Sequence, residues 1–164
     1  MNQKIKSREE LRWIVNDLRQ RGKKIVTTNG TFDILHTAHL RLLQKAKSLG
    51  DVLIVLINSD ASVKKFKGEK RPIITENERA EHLAHLSSTD YIAIFDEDNP
   101  LKLLKDLRPN FHVKGGSFIP ERIKEEKKLL EPWKGELKVF DLEEGYSTTN
   151  IISKILEAYK NEKI

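Results

Sequence analysis

The segment Asn29-Gly30-Thr31-Phe32-Asp33-Ile34-Leu35-His36-Thr37-Ala38-His39 sets two histidines, an aspartate and a glycine turn within eleven positions. His36 and His39 stand three apart, so on a helix they share one face. A helix that begins beside them adds unpaired N–H groups and partial positive charge, a ready place for a phosphate. Lys45, six residues beyond His39, can reach the same region. The set is rich in donors and positive charge, and Asp33 is its one nearby carboxylate.

Such a set suits a reaction that needs no general base. A phosphate monoester is already anionic near neutral pH, because its second pKa is about 6, and it can attack the α-phosphate of a nucleotide directly. The site must then align two anions and stabilise charge on the α-phosphate and the departing pyrophosphate. Imidazole and helix N–H groups, a lysine and Mg²⁺ meet that need. Two other readings stay open on spacing alone. Asp33, His36 and His39 could ligate a metal in a hydrolase or a structural site, although the segment shows no fuller ligand set. The histidines could also be ordinary core or capping residues. His82 and His85 repeat the spacing among Glu81, Leu83 and Ala84, which reads as a helix face. His112, inside a short strand, reads as structural.

Holding such a segment in place requires strand ends, and the pattern supplies them. Ser7-Arg8-Glu9-Glu10 has the spacing of a capping box and opens an amphipathic helix with Leu11, Ile14, Val15 and Leu18 on one face, stopped near Gly22. A β-rich stretch covers 24–28, the glycine turn follows, and a helix is expected over about 38–49. Val52 to Ile57 is a continuous apolar run of six residues, as in a parallel strand covered on both faces. A second capping box at Thr75-Glu76-Asn77-Glu78 opens a helix to about residue 87. Strands follow at 91–95, 111–114 and 137–142. Asn99-Pro100 starts the helix carrying Leu101, Leu104 and Leu107, residues 120–130 form another, and Ser147-Thr148-Thr149 begins the last. Alternating strands and helices predict an α/β fold: a Rossmann-like, doubly wound, five-stranded parallel sheet with helices on both faces. Residues 1–22 are expected to be a helical extension packed on a domain spanning 23–164. Ligands of such sheets bind at the carboxyl ends of the strands, here after Thr28, Ile57 and Lys114.

Composition sets outer bounds. The 164 residues carry 30 Lys+Arg against 25 Asp+Glu, a net charge of +5, within the roughly 100–200 residues of one domain. Cysteine is absent, which excludes disulfides, a thiolate nucleophile and Cys-ligated metal. No apolar run approaches the ~18 residues of a membrane span, and the first residues lack the apolar core of a secretory signal, so a cytoplasmic protein is expected. The basic balance, with a pI near 9.3, favours anionic ligands. No zinc-finger, RNA-binding or long basic motif points to nucleic acid. The densest basic cluster, Lys64-Lys65, Lys67 and Lys70-Arg71, reads as a solvated loop or a phosphate contact.

The stretch Thr28 to His39 resembles the signature of the HxGH nucleotidyltransferase superfamily. Asn58-Ser59-Asp60-Ala61-Ser62, Lys67-Gly68, Arg71-Pro72, Asp90-Tyr91, Phe95-Asp96-Glu97-Asp98, Val113-Lys114-Gly115-Gly116 and Glu144-Gly145-Tyr146-Ser147-Thr148-Thr149-Asn150-Ile151-Ile152 are similar to one branch, the ADP-heptose synthase family. Its members are D-glycero-β-D-manno-heptose 1-phosphate adenylyltransferases of lipopolysaccharide precursor synthesis. The resemblance implies ATP, Mg²⁺ and a sugar 1-phosphate, with ADP-heptose and pyrophosphate as products. It implies that His36 and His39 stabilise the transferring phosphate and Lys45 the triphosphate. Gly30, Thr31 and Phe32 would cradle the nucleotide, Lys114 and Gly115 would lie near its base, and Ser147, Thr148 and Thr149 would hold phosphates. Arg79 falls where relatives carry a substrate- or phosphate-associated arginine, and Asp33 belongs to the signature as a substrate-side or loop-bracing group. A homodimer is compatible with the resemblance. With no sugar-kinase domain in the chain, a stand-alone transferase is expected.

Three departures bear on specificity. Ala38 stands where the superfamily has glycine, a change the first helical turn should tolerate. Thr31 replaces the cysteine common in the heptose branch and matches glycerol-3-phosphate cytidylyltransferases. Ser117-Phe118 replaces an Asp-Tyr pair. A cytidylyltransferase acting on glycerol 3-phosphate or a similar alcohol phosphate is therefore the second reading. A non-catalytic nucleotide- or RNA-binding domain is the third, and the two histidines, Lys45 and the Ser147–Thr149 segment argue against it.

Overall fold

A computed structural model describes residues 2–115, 120–141 and 145–161. Gly116, Ser117, Phe118 and Glu144, which the sequence singled out, lie outside the described residues, as does Leu142 at the expected end of the last strand. The strands are β1 (Ile25–Gly30), β2 (Val52–Asn58), β3 (Tyr91–Phe95), β4 (Phe111–Gly115) and β5 (Glu136–Phe140). They pair in parallel in the order β3-β2-β1-β4-β5. The helices are α1 (Arg8–Gln20), α2 (Thr37–Lys47), α3 (Asp60–Lys67), α4 (Glu76–Ala84), α5 (Leu101–Leu107), α6 (Pro120–Leu130) and α7 (Thr148–Ala158). This is the doubly wound α/β sheet that the alternation predicts. No helix among the described residues is long and apolar enough to cross a membrane.

The central strand β2 explains the layering. Its residues alternate between two cores: Leu53, Val55 and Ile57 join one with Leu43, Ala46 and Leu83 from α2 and α4, while Ile54 and Leu56 join the other. The second core takes Leu11, Val15 and Leu18 from α1 and Leu103, Leu104 and Leu107 from α5. Apolar residues at every position are what a strand covered on both faces requires. The chain ahead of α1 also joins the sheet edge, where Lys6 N donates to Ile92 O at 2.8 Å and Ile92 N to Lys4 O at 2.9 Å.

Local signals place most helix starts. Both capping boxes form: Ser7 Oγ accepts from Glu10 N while Glu10 accepts from Ser7 N at 2.7 Å, and Thr75 pairs with Glu78 in the same way. Pro100 is the cap, so the helix starts one residue later than expected, and Asn99 Oδ1 still accepts from Leu101 N at 3.2 Å. The helix α3 corrects the loop reading of the basic cluster. Ser59 caps it by accepting from Ser62 N, and Gly68 at φ 87° ends it, so Lys64, Lys65 and Lys67 are helical. With only Ser62 and Val63 buried, α3 is too short to show a convincing apolar period.

The strand order reverses between β1 and β4. From β1 the chain passes through α2 to β2, and from β4 through α6 to β5 on the other side. The two crossovers leave a crevice at the carboxyl ends of β1 and β4, the usual ligand position in such sheets.

Leu11 is fully enclosed, whereas Trp13, on the other face of α1, is 73% exposed. Leu11→Ala should therefore destabilise the protein by about 2–5 kcal/mol in urea unfolding, and Trp13→Ala by no more than about 0.5 kcal/mol. Equal effects would show that α1 does not share the core.

Candidate active site

The turn after β1 is built by one glycine and one strained residue. Phe32 sits at φ 48°, a left-handed conformation that a non-glycine residue adopts at a cost of about 1–2 kcal/mol. Its ring folds back over the strand end, and a Cβ added to Gly30 would come within 3.0 Å of it. Any side chain at position 30 would have to push that ring aside by a few tenths of an ångström. The buried Phe32 ring supports His39, with centroids 5.1 Å apart.

His36 stands at the N-cap of α2 and His39 in its first turn. Their rings stack at 3.8 Å with a 20° interplanar angle. The Nδ1 atoms of both are enclosed and have no hydrogen-bond partner among the described residues. Burial lowers the pKa of His36. His39 is pushed down to about 4 by burial, then by the neighbouring His36 and Lys67 charges. Both rings are therefore neutral near pH 7, each with one N–H to donate.

One cavity of about 560 Å³ gathers nearly all the expected residues. Gly30, Thr31, Phe32, His36, His39 and Lys45 line it from β1 and α2, and Lys114 and Gly115 from the end of β4. Lys45 Nζ lies 5.8 Å from the Phe140 ring centroid. Gly115 lets β4 approach α2 closely, since a Cβ there would meet Leu42 Cδ1 at 2.6 Å. Ser147, Thr148 and Thr149 line the same cavity. Ser147 caps α7 by accepting from Asn150 N at 3.0 Å, so the helix N-terminus opens onto the space beside the histidines. The Tyr146 ring lies 6.5 Å from that of His36.

Two expected substrate groups are scaffold instead. Arg79 is fully buried and does not line the cavity. Its guanidinium donates to Ile74 O at 3.0 Å, Thr31 O at 2.6 Å, Asn58 O at 2.9 Å and Asp60 Oδ1 at 2.7 Å. With its donors turned inward it is not open to a phosphate. Asp33, at the cavity wall, accepts from Arg71 Nε at 2.7 Å and from the Ile73 and Ile74 N–H groups at 2.9 Å each. Burial raises its pKa, but these hydrogen bonds outweigh that and hold the carboxyl below its ordinary value. Asp33 braces the loop, and as a fixed anion it is unsuited to binding phosphate itself. This also undoes the metal reading, because Asp33 faces a guanidinium and two N–H groups. Among the described residues no three His, Asp or Glu side chains gather as a metal site. His82 is exposed on α4, and His85 is exposed at its C-cap.

Lys67, Arg71 and Glu126 also line the cavity, and sequence reasoning did not name them as site residues. Lys67 and Arg71 flank the cavity on the side of β2, and Arg71 Nη2 is enclosed without a partner among the described residues. Their basic cluster was the available signal. Glu126, on α6, is buried at the cavity wall and had no signal, since it reads as one charge in a charged helix.

Residues 27–154 match the cytidylyltransferase-like family. The chain belongs to that family. It is 50% identical over 157 residues to the bifunctional protein HldE of Syntrophotalea carbinolica and 52% identical over 159 residues to that of Geobacter metallireducens. These matches cover 96% and 97% of this chain but 32% of each relative, so the chain spans about a third of their length. In structure it is similar to a lipopolysaccharide core biosynthesis protein of Thermoplasma volcanium, with a TM-score of 0.62 and 26% identity over 77% of this chain and 100% of that one. A pantoate-beta-alanine ligase of Francisella tularensis, 18% identical with a TM-score of 0.58 over 96% of this chain and 79% of that one, shares the fold.

Two measurements probe this site. Arg79→Met leaves three carbonyls and Asp60 without their buried donor, and should destabilise the fold by about 3–5 kcal/mol; an unchanged unfolding midpoint would remove the scaffold role. The folded His39 value of about 4 lies below the ordinary 6.5. Between those limits the unfolded chain takes up a proton that the folded chain refuses, so stability falls as pH drops from about 6.5 to about 4. His39→Gln should lessen the loss of unfolding free energy between about pH 7 and about pH 4.5, measured by urea unfolding, by up to about 3 kcal/mol. An equal loss in both proteins would contradict a neutral His39.

Proposed function

We propose that this nucleotidyltransferase moves AMP from ATP to D-glycero-β-D-manno-heptose 1-phosphate, giving ADP-heptose and pyrophosphate for lipopolysaccharide precursors. The observation that carries the reading is the stacked His36–His39 pair with unengaged ring nitrogens, set in one cavity with the α7 N-terminus. The likeness to the HldE proteins and to the lipopolysaccharide core biosynthesis protein supports the heptose branch.

In this mechanism an oxygen of the sugar phosphate attacks the α-phosphorus, and the bond from that phosphorus to the bridging oxygen of pyrophosphate breaks. No proton has to be removed from the attacking group, so the step needs no carboxylate base. Imidazole N–H groups stabilise charge on the α-phosphate. The α7 N-terminus, with Thr148 and Thr149 in its first turn, and Lys45 hold the β- and γ-phosphates. Lys67 and Arg71, on the β2 side, would receive the phosphate of the acceptor. The lining carboxylates form no cage of their own, so Mg²⁺ would enter on the triphosphate, held by phosphate oxygens and water. Bound there, it would neutralise charge on the departing pyrophosphate.

Thr31 and the family description favour one second reading, cytidylyl transfer from CTP to glycerol 3-phosphate. Pyrophosphate release, measured with ATP and with CTP against each acceptor, separates the two. Turnover should be highest with ATP and the heptose 1-phosphate; CTP turnover exceeding that of ATP would overturn the proposal. His36→Ala and His39→Ala should each lower kcat by on the order of 100-fold or more with the circular dichroism spectrum retained. Near-normal turnover in both would reject the roles given to the imidazoles.

A further inference from the structure

A working imidazole is usually oriented by a hydrogen bond at one of its two ring nitrogens. Nδ1 of His36 and Nδ1 of His39 have no hydrogen-bond partner among the described residues. His36, at the N-cap of α2, makes no side-chain capping hydrogen bond either. Ring packing is what remains to orient them. It runs through four residues: Phe32 lies 5.1 Å from His39, His39 3.8 Å from His36, and His36 6.5 Å from Tyr146, centroid to centroid. The Phe32 and Tyr146 contacts both fall in the range of about 4.5–7 Å over which aromatic rings attract. His39 and Tyr146 are inclined to the His36 ring by 20° and 28°.

The two ends of this series are anchored differently. Phe32 is buried and locked in the strained turn after β1. Tyr146 is 41% exposed, lines the cavity and precedes Ser147, the cap of α7. Gly145, at φ 82°, takes a backbone conformation that L side chains rarely adopt and so turns the chain into Tyr146. The Tyr146 ring meets α2 a second time, 5.8 Å from the guanidinium carbon of Arg41, within cation–π reach. His39 is therefore braced by a core residue on one side and by His36 on the other. His36 has His39 and, as its second aromatic neighbour, a ring brought in from the segment ahead of α7.

We infer that Tyr146 is a positioning residue for His36: its ring closes the series Phe32–His39–His36–Tyr146 and holds the imidazole in the orientation in which it works. It acts through the histidine, with the ring as the working part and the hydroxyl dispensable. The start of α7 keeps its own cap through Ser147 and Asn150, so loss of the ring frees His36 without unmaking that helix. The inference rests on the proposed nucleotidyl transfer for what His36 does, and on ring geometry alone for how His36 is held.

Ring-proton NMR of the full chain, without substrate, tests how His36 is held. NOE cross-peaks should link His36 to both His39 and Tyr146. Tyr146→Ala should weaken or abolish the His36–His39 cross-peak while the Phe32–His39 cross-peak, which reports the turn, persists; Tyr146→Phe should keep both. Tyr146→Leu, which keeps apolar bulk without a ring, is the second variant if the first does not fold. A His36–His39 cross-peak of unchanged strength in the ringless variant would overturn the inference. Pyrophosphate release tests the consequence. Tyr146→Ala should lower kcat roughly tenfold to a hundredfold, the cost of a misplaced group, with the KM for ATP changed less than about threefold, and Tyr146→Phe should recover turnover. An unchanged kcat in Tyr146→Ala would overturn the inference. In a His36→Ala background the same substitution should cost less than about threefold, because residues that act as a unit are not additive. A full further loss there would mean that Tyr146 meets the substrate itself, and would also overturn it. An unaltered protein that turns over no nucleotide with any acceptor would instead overturn the proposed transfer, while the ring cross-peaks still decide how His36 is held, so the two failures are distinguishable.

Discussion

A buried guanidinium holds the site together. Arg79 joins the carbonyl after β1, the carbonyl at the end of β2 and the carbonyl of Ile74 ahead of its own helix, and it adds the Asp60 carboxylate at the start of α3. Thr31, Asn58 and Asp60 lie 48, 21 and 19 residues from Arg79 in sequence, and one side chain ties them together. A charge without solvent contact must be satisfied by its surroundings, and here the surroundings are main-chain oxygens of the loops that shape the crevice. Asp33 complements it with opposite sign, accepting from Arg71 and the N–H groups of Ile73 and Ile74. The strained Phe32 backbone is tolerable because both locks hold the turn on either side of it.

The charge distribution follows from that frame. The cavity has cations and helix N–H groups around it, while its two rings stay neutral because burial opposes protonation of both, and the neighbouring His36 and Lys67 oppose that of His39 as well. Neutral imidazoles donate without competing for a proton, which suits a nucleophile that arrives already ionised. A bound phosphate would reverse this balance by placing negative charge against the rings. Anion binding and imidazole protonation are thereby linked in sign: each favours the other.

The sheet, its order of elements and the histidine turn were legible in the sequence because local signals coincide there. Two capping boxes, the apolar run Val52 to Ile57 of β2 and the glycine ahead of Phe32 each act over a few residues. What was not legible depends on partners distant in sequence. Arg79 reads as a phosphate ligand by position, yet its partners at residues 31, 58 and 60 appear only when β1 and β2 lie side by side. Glu126 is one of several charges on α6, and only the sheet register beneath it makes it a buried group facing Lys114. The helix α3 escaped notice for a simpler reason, since two buried residues in eight leave no period to detect.

The strand reversal divides the crevice into walls with different duties. On the α2 side the histidines stand on a short turn braced by buried charge, so changes there disturb the frame and the chemistry together. On the α6 side Lys114 and Glu126 hang from one strand end and one helix, touching neither His36 nor His39 in the contacts described. A substitution at Glu126 therefore disturbs the β4–α6 wall while leaving the stacked imidazoles in place. That separation follows from the strand reversal, which hands the two walls to different crossovers, so that one can change without carrying the other with it.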